Sequence, residues 1–334
     1  MFAAMLLLGG IAVFLLGLRF IGENTERALG SRIKNWLKAA TENKFTATLL
    51  GAGITAFAQS SVAINMAVVS LVDAGVVSFL GACAVIVGTN IGTTVTAQLV
   101  SLSFGAVDVT AIGSLVCFFG LILSSVKKGK LRFVGDIFIG FGLVFIGIEI
   151  ITDTVKNFYD YSWFINFFTV KSAPILLLNG FFITAACQSS SVVSGILVIL
   201  AADGKVDFYS SIFVILGANI GSSVAVIFAS RKKGLTARRA ALFNLVFNAI
   251  GAAVFALFFF FFKDFFTNLF VNGSLPRAVA NFHTFFNLAA AIVLLPFLNV
   301  LKKLCFFIER DKKSFKPVPP FKNANQSIDN SFIK

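Results

Sequence analysis

The sequence predicts an all-α polytopic membrane protein made of two inverted-topology repeats, each with a re-entrant helical hairpin and broken transmembrane helices. Composition, the spacing of apolar segments and a duplicated pair of motifs lead to this prediction. Of the 334 residues, 57% are hydrophobic and 13% are charged, which is about half the charged share of soluble domains. The mean hydropathy is +0.91. The chain therefore has too little polar surface for a water-soluble globule, and a lipid bilayer is its expected environment.

Nine apolar segments divide the chain, and most have the length of one helix crossing a hydrocarbon core about 30 Å thick. They are residues 2–21, 45–72, 76–104, 109–126, 133–152, 174–202, 208–230, 240–262 and 278–301. The first segment has no basic stretch before it, so it is interpreted as a transmembrane helix rather than a signal peptide. The second and sixth segments are interrupted by Gln59-Ser60-Ser61 and by Gln188-Ser189-Ser190-Ser191, and polar side chains at such depth need partners.

The distribution of basic residues predicts the topology. The net charge is +13, but Lys and Arg concentrate in the gaps 27–44, 127–132 and 231–239 and after residue 302, as in cytoplasmic loops, so no nucleic-acid partner is expected. If every segment crossed the membrane, 231–239 would lie opposite 127–132.

Re-entrant hairpins at 45–72 and 174–202 place all four basic regions inside, so we prefer that arrangement. The N-terminus is then outside a plasma (inner) membrane and the C-terminus is cytoplasmic. Segment 302–334 is expected to be a disordered basic cytoplasmic tail.

A duplicated pair of motifs is the most informative feature. Gln-Ser-Ser at 59–61 recurs at 188–190, and Gly-Thr-Asn-Ile-Gly-Thr-Thr-Val at 88–95 recurs as Gly-Ala-Asn-Ile-Gly-Ser-Ser-Val at 217–224, both 129 positions later. Duplication for packing alone does not explain why the closest identity falls on polar and glycine positions.

Each copy is interpreted as helix, hairpin, helix and helix, over 1–126 and 133–262, followed by a final transmembrane helix at 278–301. Three crossings per copy require the second copy to be inverted relative to the first, as in many secondary transporters.

Interrupted, hydroxyl-rich helices in the middle of a bilayer suit an anion with cations nearby. Backbone N–H groups at a helix N-terminus favour an anion, while hydroxyl, amide and carbonyl oxygens suit Na⁺. The Asn-Ile-Gly sequences are expected to allow local unwinding, because glycine tolerates backbone angles that other residues avoid. An enzyme is not expected, since the sequence offers no nucleotide-binding loop, no shared acid/base pair and no metal cluster. No cofactor is expected either.

These motifs resemble those of the type II sodium/phosphate cotransporters and their bacterial relatives, most strongly over 45–100 and 174–230. The resemblance implies movement of inorganic phosphate by alternating access, with Na⁺ as the coupling ion. Val62 is a departure, because the family has a third serine at that position. A phosphate exporter, a carrier of another small oxyanion, a channel and a non-transporting scaffold remain alternatives. The oligomeric state is left open, with a homodimer as one arrangement.

Carried over position by position, the resemblance implies two sets of site residues. The phosphate-binding set is Gln59, Ser60, Ser61, Gln188, Ser189, Ser190, Ser191, Asn90 and Asn219. The sodium-binding set is Thr55, Thr93, Thr94, Thr184, Ser194, Ser222 and Ser223. Arg19 aligns with the uncharged Val144 and belongs to neither motif. The charge of an anionic substrate is therefore expected to be met mainly by helix ends, hydroxyls and co-bound cations.

Overall fold

A computed structural model of the chain describes residues 2–29, 35–36, 43–105, 108–125, 129–159 and 161–310. Most of the basic gap 27–44, part of 127–132 and residues 311–334 of the predicted tail lie outside the described residues. The tail was expected to be disordered from residue 302, but the chain is helical as far as Ile308. Within the described ranges the regular structure is helical throughout, as the sequence predicts.

The α-helices follow one another through short connections. They are α1 (Phe2–Leu29), α2 (Lys44–Ala58), α3 (Ser61–Asp73), α4 (Phe79–Leu102), α5 (Val109–Ser124), α6 (Lys130–Val155), α7 (Ser162–Thr169), α8 (Ala173–Cys187), α9 (Ser190–Ala202), α10 (Phe208–Ser230), α11 (Leu235–Phe261), α12 (Lys263–Phe270), α13 (Leu275–Leu294) and α14 (Leu298–Ile308). Short 3₁₀ turns follow α6 and α13.

Six segments of the described chain are long and apolar enough to cross a membrane. They are α1, α4, α6, α10, α11 and the combined segment of α13 and α14. The helices α2, α3, α5 and α9 are apolar but shorter. A helix hides its own backbone polar groups from lipid, so the fold confirms the prediction of an all-α, multi-pass membrane protein.

Helix α4 lies in the interior, with 83% of its apolar span buried. It packs against α2, α3, α9 and α13. Helix α1 packs along α6, and α5 packs along α6. The helices of the two predicted interrupted segments, α2–α3 and α8–α9, therefore pack directly against the long helices α4 and α10.

Glycines bring α2 against α4 and α8 against α10 at backbone distance. A Cβ atom at Gly88 would lie 2.0 Å from the Thr48 carbonyl oxygen, and one at Gly217 would lie 1.9 Å from the Leu177 carbonyl oxygen. Gly217 lies 129 positions after Gly88, and Leu177 lies 129 positions after Thr48. The two copies therefore share one packing arrangement. Further along the chain, Gly92 meets Ala52 in the same way, which shows that α2 and α4 run parallel.

The expected unwinding at Asn-Ile-Gly is wrong. Helices α4 and α10 continue without interruption through Asn90 and Asn219. The glycines of this motif serve close helix packing instead of a backbone break, because a side chain would collide with the neighbouring helix. The chain breaks at the two Gln-Ser motifs.

Candidate functional site

Both Gln-Ser motifs turn the chain with the same backbone conformation. Gln59 ends α2 with φ of +53°, and Gln188 ends α8 with φ of +55°. A serine in an extended conformation, Ser60 or Ser189, follows each glutamine and is the N-cap residue of α3 or α9. The left-handed conformation costs a residue other than glycine of order 1–2 kcal/mol, so both copies keep a strained corner at matching positions.

The two corners line one cavity of about 360 Å³. Helix α1 forms another part of its wall through Leu15, Leu18, Arg19, Gly22 and Glu23. The structure therefore brings together seven of the nine residues predicted to bind phosphate, although they are far apart in sequence. These seven are Gln59, Ser60, Ser61, Gln188, Ser189, Ser190 and Ser191.

The two helix N-termini at the cavity differ in their capping. The Ser60 hydroxyl accepts a hydrogen bond from the Ala63 backbone N–H at 3.3 Å, whereas Ser189 makes no capping bond with its side chain. Free N–H groups and the helix dipole make a helix N-terminus attractive to an anion. The start of α9 therefore offers the more available backbone donors.

Thr96 connects the two corners. Its hydroxyl donates to Gln59 Oε1 at 2.6 Å and lies 3.2 Å from Ser191 Oγ. Gln59 is fixed further by a short hydrogen bond from its side-chain amide to the Ala56 carbonyl. The sequence reasoning did not select Thr96, because the matching position 129 residues later is Ala225. Its adjacency to the first Gly-Thr-Asn-Ile-Gly motif was the available signal.

Asn90 and Asn219 are not among the residues that line this cavity and belong to a buried polar cluster. Asn90 Nδ2 donates to Asn248 Oδ1 at 2.9 Å, and Asn248 Nδ2 donates to the Asn219 carbonyl at 3.0 Å and to Ser223 Oγ at 3.1 Å. Asn248 on α11 thereby joins α4 to α10. Contact of Asn90 and Asn219 with phosphate stays a prediction.

Two of the predicted sodium ligands have hydroxyl groups without a partner. Thr55 and Thr184 are fully buried, and among the described residues neither hydroxyl has a hydrogen-bond partner. They are 129 positions apart, and each lies in the last turn before a corner. An unpaired buried hydroxyl is costly, so these two threonines are the best-placed candidates for a ligand that the chain itself does not supply.

The other predicted sodium ligands have partners within the protein. Thr93, Thr94 and Ser222 donate to carbonyls of their own helices. Ser194 donates to the Ser190 carbonyl and lies 3.4 Å from Nδ1 of the buried His283. Each hydroxyl oxygen keeps lone pairs for a cation, so sodium binding at these positions also stays a prediction.

Among the cavity residues that the sequence reasoning missed, three have charged or thiol side chains: Arg19, Glu23 and Cys187. Arg19 was noted but set aside, although a charged side chain within an apolar span is by itself a sign of a cavity or pathway. Cys187 is exposed and takes the position that Ala58 has in the first copy. The repeat comparison gave no signal for these positions because each differs between the copies.

Six apolar spans and a cavity lined by the two Gln-Ser corners define a multi-pass helical membrane protein with a polar site. Residues 13–153 and 165–282 match the family described as Na⁺/Pi-cotransporter, and the chain belongs to that family. This membership confirms the resemblance and indicates a transporter rather than an enzyme.

Curated relatives agree with the family. The chain is 28% identical over 311 residues to YjbB of Escherichia coli (strain K12), whose name describes a proposed inorganic phosphate export protein. This match covers 92% of the chain and 56% of the relative, so the chain spans about half the length of YjbB. YqeW of Bacillus subtilis (strain 168), whose function its name leaves open, is 28% identical over 88% of the chain and 94% of its own length. No solved structure matches the chain.

Proposed function

We propose that this protein carries inorganic phosphate across the plasma membrane by alternating access, coupled to Na⁺. The meeting of two Gln-Ser corners in one cavity carries the proposal, because each corner brings hydroxyl donors and a helix N-terminus to the same space. Such donors suit a small oxyanion. Membership in the Na⁺/Pi-cotransporter family supports phosphate as the cargo.

We infer that α2–α3 and α8–α9 are re-entrant hairpins in two inverted copies. Helix α2 runs parallel to α4 and ends beside Thr96, whereas α3 leads back to the start of α4 at Phe79. The chain must therefore reverse at Gln59. The contacts of α8 with α10 repeat this pattern at Gly180, Gly217 and Gly221.

Contacts between connecting segments support the same topology. The Gly234 N–H donates to Asp73 Oδ1 at 2.8 Å, Tyr159 donates to Asp203, and Arg277 donates to Ser101 Oγ at 3.0 Å. If every apolar segment crossed the bilayer, the members of each pair would lie at opposite membrane faces. With two hairpins, each pair lies at one face. The positive-inside rule then puts Asp73 and Gly234 in the cytoplasm.

Sodium coupling has a physical reason in this site. Phosphate is a multivalent anion at neutral pH, and moving it out of water is costly unless its charge is balanced. Thr55 and Thr184 offer buried hydroxyl oxygens one turn before the two corners. We propose that they help to hold Na⁺ at related positions in the two copies, where the ion offsets the charge of the phosphate.

Flux in proteoliposomes tests cargo and coupling together. An inward Na⁺ gradient is expected to drive uptake of labelled phosphate several-fold faster than an equal K⁺ gradient, because Na⁺ must bind with the anion. Arsenate is expected to compete, and carboxylates are not. Equal rates of phosphate uptake in Na⁺ and K⁺ would contradict the proposed coupling to Na⁺. A complete lack of phosphate flux would remove the transport proposal, and currents in planar bilayers at channel rates would favour a channel.

Cys187 provides a second test that does not depend on flux. It lines the cavity, whereas Cys83 and Cys305 are buried and Cys117 lies on α5, away from the lining residues. In a Cys117→Ser background, phosphate is expected to slow labelling of Cys187 by N-ethylmaleimide, because the bound anion occupies the same space. Chloride at equal ionic strength is the control. Labelling that is unaffected by phosphate would contradict binding at this cavity.

Export is a second candidate function, because the YjbB relatives carry a name that describes phosphate export. A carrier with alternating access can work in either direction, depending on the gradients that drive it. Cells that lack their other phosphate carriers would distinguish the directions. Faster loss of preloaded phosphate on expression supports export, whereas faster Na⁺-dependent accumulation supports uptake.

A further inference from the structure

We propose that Arg19 binds the transported oxyanion at the edge of the cavity and that Glu23 holds its guanidinium in position. This inference rests on the proposed function and adds to it a residue that recognises the anion. Arg19 and Glu23 are the charged residues among those that line the cavity. An arginine within an apolar span is costly unless it faces a polar cavity or water, and this cavity gives it that environment.

Close packing at Gly22 places the stretch of α1 that carries Arg19 next to the first corner. A Cβ atom at Gly22 would lie 2.5 Å from the Ala58 carbonyl oxygen, so α1 touches the end of α2 immediately before Gln59. Arg19 and Glu23 flank Gly22 on the face of α1 that lines the cavity. The arginine therefore lines the cavity from α1, whereas the serines line it from the two corners.

The hydrogen bonding of Arg19 leaves donors available. Its Nε atom donates to Glu23 Oε1 at 2.5 Å, and Arg27 Nη2 contacts the other carboxylate oxygen of Glu23 at 3.3 Å. Among the described residues, the two terminal nitrogens of Arg19 have no acceptor. A guanidinium presents paired donors that match two oxygens of one phosphate. Glu23 therefore acts as a positioning residue for an unsatisfied pair of donors.

The first corner lacks a donor that the second corner has. Val62 lines the cavity at the position that Ser191 occupies in the second copy. In the first helices of the two copies, it is the first copy that has the additional donor. Arg19 is exposed there, whereas the aligned residue of the second copy, Val144, is apolar and fully buried. The copy that has lost a serine hydroxyl is thus the copy with a cavity arginine. Arg19 supplies the anion with donors that Val62 cannot give.

The alternative is that Arg19 and Glu23 form an ordinary ion pair, four residues apart, on a solvated helix face. Such exposed pairs contribute little to stability. That reading predicts that removing the Arg19 side chain leaves anion binding unchanged. Arg27 is the matched control, because it contacts the same glutamate from two turns further along α1 and lies outside the cavity lining.

The contribution of Arg19 to anion binding is measured by the protection of Cys187 from N-ethylmaleimide, with the full chain in a Cys117→Ser background. In Arg19→Gln, the phosphate concentration for half-maximal protection is expected to rise by about tenfold or more, as for loss of a charge-assisted hydrogen bond. Arg19→Lys should give a smaller rise, because it keeps the charge but loses the planar fork. Arg27→Gln should change it less than about twofold.

The outcomes separate this inference from the proposed function. Equal half-maximal concentrations in Arg19→Gln and its parent overturn the role of Arg19 and leave phosphate binding intact. Protection by sulfate but not by phosphate, with the same dependence on Arg19, overturns phosphate as the cargo and supports Arg19 as an anion ligand. Absence of protection by phosphate, arsenate and sulfate alike overturns both.

Discussion

Replacing Ser190 with alanine is expected to reduce phosphate transport by about one to two orders of magnitude at low substrate concentration. Ser190 is the first residue of α9, is buried and lines the cavity beside the uncapped N-terminus. A hydrogen bond to a charged group is worth about 1.5–3 kcal/mol, and this converts to roughly a 10- to 150-fold change in affinity. Ser61→Ala, at the matching position of the first copy, is expected to act in the same direction.

The comparison needs a serine that is equally buried but lies elsewhere. Ser230 is 3% exposed and donates to the Ile227 carbonyl in its own helix at the end of α10. Ser230→Ala should leave the initial rate of phosphate uptake near that of the parent, since it removes a local bond away from the cavity. If Ser190→Ala and Ser230→Ala transported phosphate at the same rate, the corner serines would not be ligands, and the cavity would have to serve another purpose.

The repeat in the sequence predicted more of the site than any single motif. Because Gln59 and Gln188 are related by the same 129 positions as Gly88 and Gly217, the sequence implied that each corner belongs to one equivalent unit. The structure agrees in detail, since both glutamines have left-handed backbone angles and both glycines pack against a carbonyl of the helix that ends at the corner of the same copy, α2 or α8. The repeat predicts these features because both copies need a turn at the glutamine and a close helix contact at the glycine.

Features that break the repeat could not be predicted in this way. Arg19, Thr96 and Cys187 each differ from the residue at the matching position, and all three lie at or beside the two corners. The sequence also could not decide what Gly92 is for, because a glycine permits either an unwound backbone or a close helix contact. Only the neighbouring helix decides this, and its Ala52 carbonyl oxygen would lie 2.4 Å from a Cβ atom at residue 92.

Gly51→Ala is expected to have a large effect on stability, and Gly53→Ala is its matched control two residues away on α2. A Cβ atom at Gly51 would lie 2.3 Å from the Val85 carbonyl oxygen, whereas one at Gly53 would meet nothing within 4 Å. In the second copy the corresponding positions are Gly180, where a Cβ atom would lie 2.1 Å from the Val214 carbonyl oxygen, and Phe182, which is 61% exposed. The second copy thus keeps the glycine at the first position and tolerates a large side chain at the second.

The colliding atom at Gly51 belongs to the backbone, so a rotamer change cannot relieve the contact and α2 must move away from α4. Overpacking of this kind costs about 1–3 kcal/mol or more, and we expect the midpoint of thermal unfolding in detergent to fall by roughly 5 °C or more. Gly53→Ala should keep or slightly raise the midpoint, since alanine favours a helix over glycine by up to about 1 kcal/mol. Equal midpoints for the two variants would mean that α2 is not packed on α4 by glycine. The parallel contact from which we infer the reversal of the chain at Gln59 would then lose its support.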